Sequence, residues 1–362
     1  MQVVDCFGTP SERGEMHGES LRSGIAEALS HWETATMQAL ANRAPADFDT
    51  YCADFVENTA LMARAAKTAP TLYDELVGIA KGAGQPLQRI AAYNLMDEQW
   101  WYDALPTAPP PGCSLVAAPV AEGHVLAQNM DLPAHMEGSQ VALRLAGPDI
   151  PQQIVLSAAG LIGLTGVNDA GLAVGVNTLL MLNHASDGLP VAFVTRSALA
   201  ARDAPDARQR LMTMPHASGQ HFALVARDGI TSLEGAAGGT APVPVSEGAL
   251  LHTNHPLVHT GVDPAAQTRL TKSGFNRSSA TRLDWLQQNR ARLHDAASIQ
   301  TLFDDDTAPI CMHTNTNGGS STFASVLYEM TESTSVRMRK GIAGSADWQQ
   351  IRFDANYQPV TG

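Results

Sequence analysis

The sequence predicts an α+β protein, with a helical leading segment followed by antiparallel sheets whose companion helices are segregated from the strands. Three observations carry this reading. The apolar period is helical, about 3.6 residues, through the first hundred residues and falls to 2 beyond them. The change coincides with the proline-rich stretch between Leu105 and Cys113, which can be neither helix interior nor central strand. After that stretch, strand pairs joined by short turns rich in glycine, aspartate and asparagine follow one another, the pattern of hairpins rather than of crossover connections.

In chain order, Leu21, Ile25, Leu29, Trp32 and Met37 recur at helical intervals over 20–42. Residues 47–67 and 70–82 repeat the habit, with Thr71 as the expected N-cap before Leu72. Pro86 opens a further helix through Arg89, Ile90 and Asn94 to Glu98, and Gly78, Gly82 and Gly84 are expected to break the third helix from the fourth. Beyond the prolines, CSLVAAPV and HVLAQNMDL read as strands about the turn Glu122-Gly123. Residues 141–146 and 154–160 flank Gly147-Pro-Asp. LTGVNDAGLAVGVNTL is a hairpin with Asn168-Asp-Ala-Gly at its tip, and FALVARDGITSLEGA another about Arg227-Asp-Gly. STFASVLYEM and SVRMRKGI close the chain as an antiparallel pair, and helices interrupt the strands only at about 190–203 and 278–303.

With 362 residues, 44% of them hydrophobic and 16% charged, the chain can bury a large core and is neither disordered nor a coiled coil. Its net charge is −13, and only Lys67, Lys81, Lys272 and Lys340 are lysines. An acidic surface without a basic stripe argues against nucleic acid and against an anionic membrane as partners. The first residues, MQVVDCFGTPSERGE, show neither a basic n-region nor an apolar h-region, so a cytoplasmic location is expected. The four cysteines, Cys6, Cys52, Cys113 and Cys311, have no zinc-type spacing, which suits a reducing compartment.

No G-x-S-x-G elbow, P-loop or H-E-x-x-H helix occurs. His252, His255 and His259 cluster in LLHTNHPLVHT, but Pro256 rules out the helical geometry that would aim a pair at one ion, and no metal is expected. The Gly112-Cys113 junction is the sharper feature. Were that peptide bond cut, Cys113 would begin a chain at the start of a strand. Its α-amine, titrating at about pH 8, could take the thiol proton without a histidine. The same thiol could make the cut by an N-to-S acyl shift onto the unhindered Gly112 carbonyl, followed by hydrolysis of the thioester. On the dipeptide alone, a Gly-Cys pair that merely opens a buried strand stays open as the alternative. Gln128, Asn129 and Asp131, in LAQNMDL, return toward Cys113 if the hairpin forms, which lets Asp131 orient the new α-ammonium. Asn177 and Asn254 stand at strand ends, where an amide can point into a cleft as an oxyanion donor or simply cap a turn.

Together these pieces resemble the acyl-coenzyme A:6-aminopenicillanic acid acyltransferase family (peptidase family C45) of the N-terminal-nucleophile hydrolases. The likeness spans nearly the whole chain: His17-Gly18 with Arg22, YDELVGIAKGAG, AAYNLMDE, Gly112-Cys113, LAQNMDL, GLTGVNDAGLAVGVNTL, LLHTNHP, SSATRLDWL and ICMHTN stand in family order. The resemblance implies a four-layer αββα sandwich of two antiparallel sheets. It also implies self-cleavage into a helical small chain, 1–112, and a catalytic large chain, 113–362, which stay associated as one packed unit. By the same likeness Cys113 is the nucleophile and its α-amine the base, Asp131 the orienting acid, Asn254 the oxyanion amide and Asn177 a polar wall residue. Gln128, Asn129 and Arg282 would stand at the substrate side. No cofactor is implied; the expected partner is a small-molecule amide, and a homo-oligomer is left open. The chain departs from relatives in carrying Gln128 where bile-salt-hydrolase-like members have arginine, and Met312 where arginine often follows the Ile-Cys pair. Both departures remove positive charge. The activity expected first is hydrolysis of a small linear amide through an acyl-enzyme thioester, with acyl transfer to an amine second and a silent amide- or amine-binding protein third.

Overall fold

The structure, a computed structural model, describes residues 1–41, 45, 47–104, 112–314, 319–355 and 357; the proline run at 105–111 lies outside them. The leading segment opens with a strand, β1 (Gln2–Phe7), and continues as seven helices: α1 (Pro10–Ser20), α2 (Arg22–Ala39), α3 (Phe48–Glu57), α4 (Leu61–Thr68), α5 (Pro70–Ala83), α6 (Leu87–Tyr93) and α7 (Met96–Asp103). After Cys113 come β2 (Ser114–Val120), β3 (Gly123–Pro133), β4 (Gln140–Gly147), β5 (Ile150–Ala158), β6 (Thr165–Asn168) and β7 (Leu172–Thr178). Helices α8 (Val191–Leu199) and α9 (Ala204–Thr213) precede β8 (Gln220–Ala226), β9 (Gly229–Ala236), β10 (Gly239–Pro242) and β11 (Leu250–His252). Helices α10 (Pro264–Ser273), α11 (Phe275–Gln288) and α12 (Ala296–Phe303) then lead to β12 (Ser320–Met330), β13 (Ser335–Lys340) and β14 (Gln349–Ile351).

The strands form two sheets. One runs β1-β4-β5-β6-β7-β8-β9-β10 and the other β11-β2-β3-β12-β13-β14. Alternation along the strands shows how they stack. Leu115 and Ala117 of β2, with Leu126 and Met130 of β3, enter the core that also takes in β7, β8 and the leading helices. Their neighbours Val116, Ala118, Val125 and Ala127 pack instead with Leu283 and Leu286 of α11 and Ile299, Leu302 and Phe303 of α12. With α8 and α9 covering the outer face of the first sheet, the layers are αββα.

Most turn expectations hold. The β2–β3 hairpin closes at Val120 opposite Gly123, and Gly123 takes a φ of 154°, where its missing Cβ avoids the Met330 carbonyl. The strands about Gly147, Asn168 and Arg227 also pair as hairpins.

Several expectations are corrected. The leading segment is not wholly helical, because β1 pairs with β4, and it pairs in parallel, so the first sheet is antiparallel except at that edge. The helix expected at 20–42 is preceded by a separate α1, started by a capping box in which Thr9 Oγ1 accepts from Glu12 N and the Glu12 carboxylate accepts from Thr9 N at 2.8 Å. Residues 47–67 are two helices rather than one, and 86–98 likewise. Thr71 is not an N-cap; Pro70 starts that helix one residue earlier, as proline at a first turn does. Gly78 and Gly82 lie inside α5, and only Gly84, at φ 66°, ends it. The two interior glycines face Gly14 and the backbone of α1, where any Cβ would strike main-chain atoms. Helices α9 and α10 were not expected and are started by Asp203 and Asp263, which accept backbone N–H groups at their first turns. Among the described residues no helix is long and apolar enough to cross a membrane.

Candidate active site

Cys113 immediately precedes β2 and stands on the inner face of the second sheet. Its thiol opens onto a cavity of about 570 Å³ between helices of the leading segment and the mouth of the sandwich. Trp32, Thr36, Met96, Asp97 and Trp100 wall it on one side, and Met130, Asp131, Leu132, Val176 and Thr178 on the other. Cys113 Sγ lies 3.3 Å from Met130 Sδ and 4.0 Å from the Asp131 carbonyl oxygen. Burial, helped by the charge of Asp131, pushes the thiol up to about 12. A thiol so raised is inert at neutral pH until a base adjoins it.

The carboxyl of Asp131 is near enough for its charge to act on the thiol. It is fully buried, Oδ1 accepts from Thr322 Oγ1 at 2.7 Å, and Oδ2 has no hydrogen-bond partner among the described residues. Burial pushes its carboxyl up to about 7, against the opposing pull of Arg282 and Thr322. A buried carboxylate oxygen with an empty side is suited to accept a proton or to receive an ammonium.

The backbone of Cys113 is clamped from behind. Its carbonyl accepts from Arg282 Nη1 at 2.6 Å and from Asn177 Nδ2 at 3.2 Å. Arg282, on α11, also donates from Nη1 to Ser114 Oγ at 3.0 Å and from Nη2 to Asn254 Oδ1 at 3.0 Å. A Cβ on Gly112 would overlap Arg282 Nη2 and come within 3.0 Å of its Cζ. Glycine is therefore demanded at 112 by the arginine that holds the junction, in addition to leaving the carbonyl open.

Asn254 is buried and its amide orientation is set by its two partners: Oδ1 faces Arg282, and Nδ2 donates to the Thr178 carbonyl at 3.0 Å. One N–H of Nδ2 remains beyond that bond. Asn177 is backed by a buried histidine pair. His221, opposite Asn177 in the β7–β8 register, donates from Nδ1 to Asn177 Oδ1 at 2.9 Å and accepts from Ser232 Oγ at Nε2, 2.8 Å away. Burial and the adjacent His252 hold His221 well below the usual imidazole range, so it is neutral. The two rings stack at 3.7 Å between centroids across the sheets, and His252 Nε2 donates to Glu234 Oε1 at 2.9 Å. The Glu234 carboxylate also accepts the backbone N–H groups of Leu257, Val258 and His259.

The structure thus brings Cys113, Asp131, Asn177, Asn254, Arg282 and Gly112 together. It does not bring Gln128 and Asn129 to the cavity. Gln128 joins the two sheets, donating to the Val176 carbonyl and accepting from Val176 N at 3.3 Å. Asn129 points to the opposite face, donating to the Ile310 carbonyl at 2.8 Å and accepting from Ser325 Oγ at 2.6 Å. Both amides are spent on holding β3 in place, so the expected substrate-side role does not fit their positions. The histidine cluster also disperses: His252 faces Glu234, His255 Nδ1 lies 2.8 Å from Ser279 Oγ, and His259 Nδ1 accepts from Gly261 N at 3.0 Å. Sequence reasoning missed Asp97, Thr322, His221 and Glu234. For Thr322 and His221 the signal was strand register, since each stands directly opposite a residue already singled out.

Residues 120–339 match the family described as acyl-coenzyme A:6-aminopenicillanic acid acyl-transferase. The chain is 27% identical over 275 residues to the acyl-coenzyme A:6-aminopenicillanic-acid-acyltransferase 40 kDa form of Emericella nidulans, covering 74% of this chain and 72% of that protein. Among solved structures, a variant of the conjugated bile acid hydrolase from Clostridium perfringens aligns with a TM-score of 0.43 at 11% identity, over 67% of this chain and 97% of that one. Penicillin V acylase from Agrobacterium tumefaciens aligns with a TM-score of 0.38 at 15% identity, over 66% and 85%. The family match spans more than half of the chain and takes in strands of both sheets, and the chain belongs to the acyl-coenzyme A:6-aminopenicillanic acid acyl-transferase family.

Proposed function

We propose that, within the acyl-transfer and amide-hydrolysis chemistry of its family, this protein cuts its own Gly112–Cys113 bond and then hydrolyses a small linear amide through a thioester on Cys113. The observation that carries this is the placement of Cys113: it lines the cavity, its carbonyl is clamped by Arg282 and Asn177, and its Sγ lies 4.0 Å from the carbonyl oxygen of Asp131, whose buried Oδ2 has no partner among the described residues. In the uncut chain Asp131 takes the thiol proton, Sγ adds to the Gly112 carbonyl, and the C–N bond breaks as the Cys113 nitrogen is protonated. Water opens the resulting thioester, leaving a Gly112 carboxylate and a free α-amine. That amine then serves as base for substrate, with its ammonium form paired to Asp131. Sγ attacks the substrate carbonyl, the second N–H of Asn254 Nδ2 holds the oxyanion, and the α-ammonium protonates the leaving amine.

The two segments are built to stay together after the cut. β1 is hydrogen-bonded to β4, and Glu75 of α5 pairs with Arg196 of α8 at 2.8 Å in a fully buried site. Acyl transfer is the second reading, favoured by the likeness to the acyltransferase of Emericella nidulans: an amine in place of water would discharge the same thioester.

The test is an intact-mass spectrum under denaturing conditions, followed by amide turnover. Wild type is expected as two fragments, the larger beginning at Cys113, and Cys113→Ala as one 38.3 kDa chain. Wild type that stays a single species after prolonged incubation would overturn the self-processing mechanism. Turnover that yields acylated amine rather than free acid when an amine is added would assign acyl transfer.

A further inference from the structure

Apart from one histidine, the ionisable side chains of ordinary acid or base strength that line the cavity are all carboxyls. Asp97, Asp103 and Asp131 line it, and no lysine or arginine does among the described residues. Burial drops His135, on the same wall, to about 4, so it is neutral. Arg282 stands behind Cys113 with Nη1 and Nη2 committed to the Cys113 carbonyl, Ser114 and Asn254, and Arg269 is turned onto the ring of Trp100 at 5.0 Å. Of the three carboxylates, Asp103 already accepts from Tyr51 Oη and Gln99 Nε2, each at 3.0 Å. Asp131 is the partner of the Cys113 nitrogen once the junction is cut. Asp97 is left over. Its Oδ1 accepts from Thr178 Oγ1 at 2.8 Å, which aims the carboxylate across the cavity from the leading segment toward β7. It is near enough to Cys113 for its charge to act on the thiol. Glu98, next in sequence, is turned away into the protein, where Oε1 accepts from Ser218 Oγ and Val191 N while the buried Oε2 has no hydrogen-bond partner among the described residues. Burial raises both carboxyls, Glu98 up to about 8 with the charge of Asp97 adding to the effect, and it is Asp97 of the two that lines the cavity.

We propose that Asp97 is the specificity-determining residue of this site and that the substrate is an amide carrying a protonated amine, seated against Asp97 while its apolar remainder fills the cavity. An ammonium is the group that a largely apolar cavity with acidic side chains and no counter-cation lacks: it would offset the burial that raises the Asp97 and Asp131 carboxyls, whereas a carboxylate on the amide would add to it. The inference rests on Cys113 being the acylated residue, but it concerns recognition and can fail separately.

Two matched series of amides decide it. In one, the acyl part is an ω-amino acid, an alkanoic acid of equal length or the matching dicarboxylic acid, each as its anilide. In the other, a hexanoyl group is carried by a diamine, by an alkylamine of equal length or by an ω-amino acid. For wild type, the cationic member of one series is expected to exceed its neutral partner in kcat/KM by at least about tenfold, with the carboxylate slowest. Asp97→Asn, whose side-chain oxygen can still accept from Thr178, is expected to collapse that ratio to within about threefold. The series that shows the effect tells which side of the scissile bond bears the amine. Equal kcat/KM for cationic and neutral members in both series, or a ratio untouched by Asp97→Asn, would overturn the proposal. Should no amide be turned over, calorimetry with the same compounds on Cys113→Ala gives the answer without chemistry. Tighter binding of a cationic member, lost on adding Asp97→Asn, supports the assignment, and indifference to charge refutes it.

Discussion

At the scale of single residues, the junction concentrates conflicting demands. A carboxyl buried as deeply as Asp131, with one oxygen unpartnered, destabilises the chain that contains it, and its usefulness lies in that cost. Because its carboxyl is raised in the folded chain from the ordinary 3.8 to about 7, the folded state holds the proton more tightly than the unfolded state does. Stability from this group is therefore complete below the ordinary carboxylate range and drains away as pH climbs through about 7. In the uncut Cys113→Ala protein, Asp131→Asn should gain on its parent as pH rises from about 5 to about 8, by a few degrees in Tm. A Tm difference that stays flat across that range would contradict the assigned protonation. The junction itself was legible in the sequence, because a glycine before a cysteine after a proline run is a local signal. The reason for the glycine was only half legible: the unhindered carbonyl could be inferred, whereas Arg282 reaches it from far along the chain. Asp97 was hidden for a similar reason, since nothing local tells a cavity-facing aspartate from a solvated one.

At the scale of elements, hairpins were readable and helix interiors less so. The turns at Glu122-Gly123, Gly147-Pro-Asp, Asn168-Asp-Ala-Gly and Arg227-Asp-Gly are encoded by adjacent residues, and each lies where its strands pair. Gly78 and Gly82 misled because a glycine that breaks a helix and a glycine that lets another helix approach are the same letter. The distinguishing signal was the second pair at the same spacing, Gly14 and Gly18 on α1. Added Cβ atoms there would land on the Glu75 and Ile79 carbonyls, and on Gly78 against the Ser11 carbonyl. Gly78→Ala is expected to lower the denaturant midpoint by an amount worth about 1–3 kcal/mol, although alanine is the better helix former. If Gly78→Ala were neutral or stabilising in urea unfolding, the close crossing of α1 and α5 would be wrong. Strand β1 escaped notice because its partner β4 lies more than a hundred residues downstream and the pairing is parallel, which no short-range turn announces.

For the whole molecule, the central electrostatic joint is Glu75. Its carboxylate takes Arg13 Nε at 3.2 Å and Arg196 Nη1 at 2.8 Å, with all three side chains buried, and so ties α1 and α5 of the leading segment to α8 of the following one. Arg13 keeps a second partner in Asp149 at 2.7 Å, whereas Arg196 retains only uncharged acceptors, Gln153 Oε1 and the Ile162 carbonyl. Glu75→Ala leaves that guanidinium buried without a counter-charge and should cost about 3–5 kcal/mol in equilibrium unfolding. The exposed Lys81–Glu15 pair at 2.7 Å is the control, and breaking it should move stability little. Equal effects of the two substitutions would show that the Glu75 joint carries no special burden. The α+β class with antiparallel sheets was legible from the hairpins and the αββα layering only through the resemblance, while this ionic joint, made by side chains scattered over three helices, was not legible at all.

The parallel strand β1 has one more consequence, in the time order of synthesis. Residues 2–7 leave the ribosome long before their partners at 141–146, which emerge only after the whole helical segment, the junction and the β2–β3 hairpin. The first sheet therefore cannot be completed while the protein is half made, and its outermost strand waits, tethered through α1 to the helices, for a template that arrives late. A cut at Gly112 before that docking would release β1 and its helices from the sheet they belong to. The clamp on the Cys113 carbonyl comes from α11, which is made after β4, so under the proposed self-cleavage the bond joining the two segments would be spared until the pairing that replaces it can form.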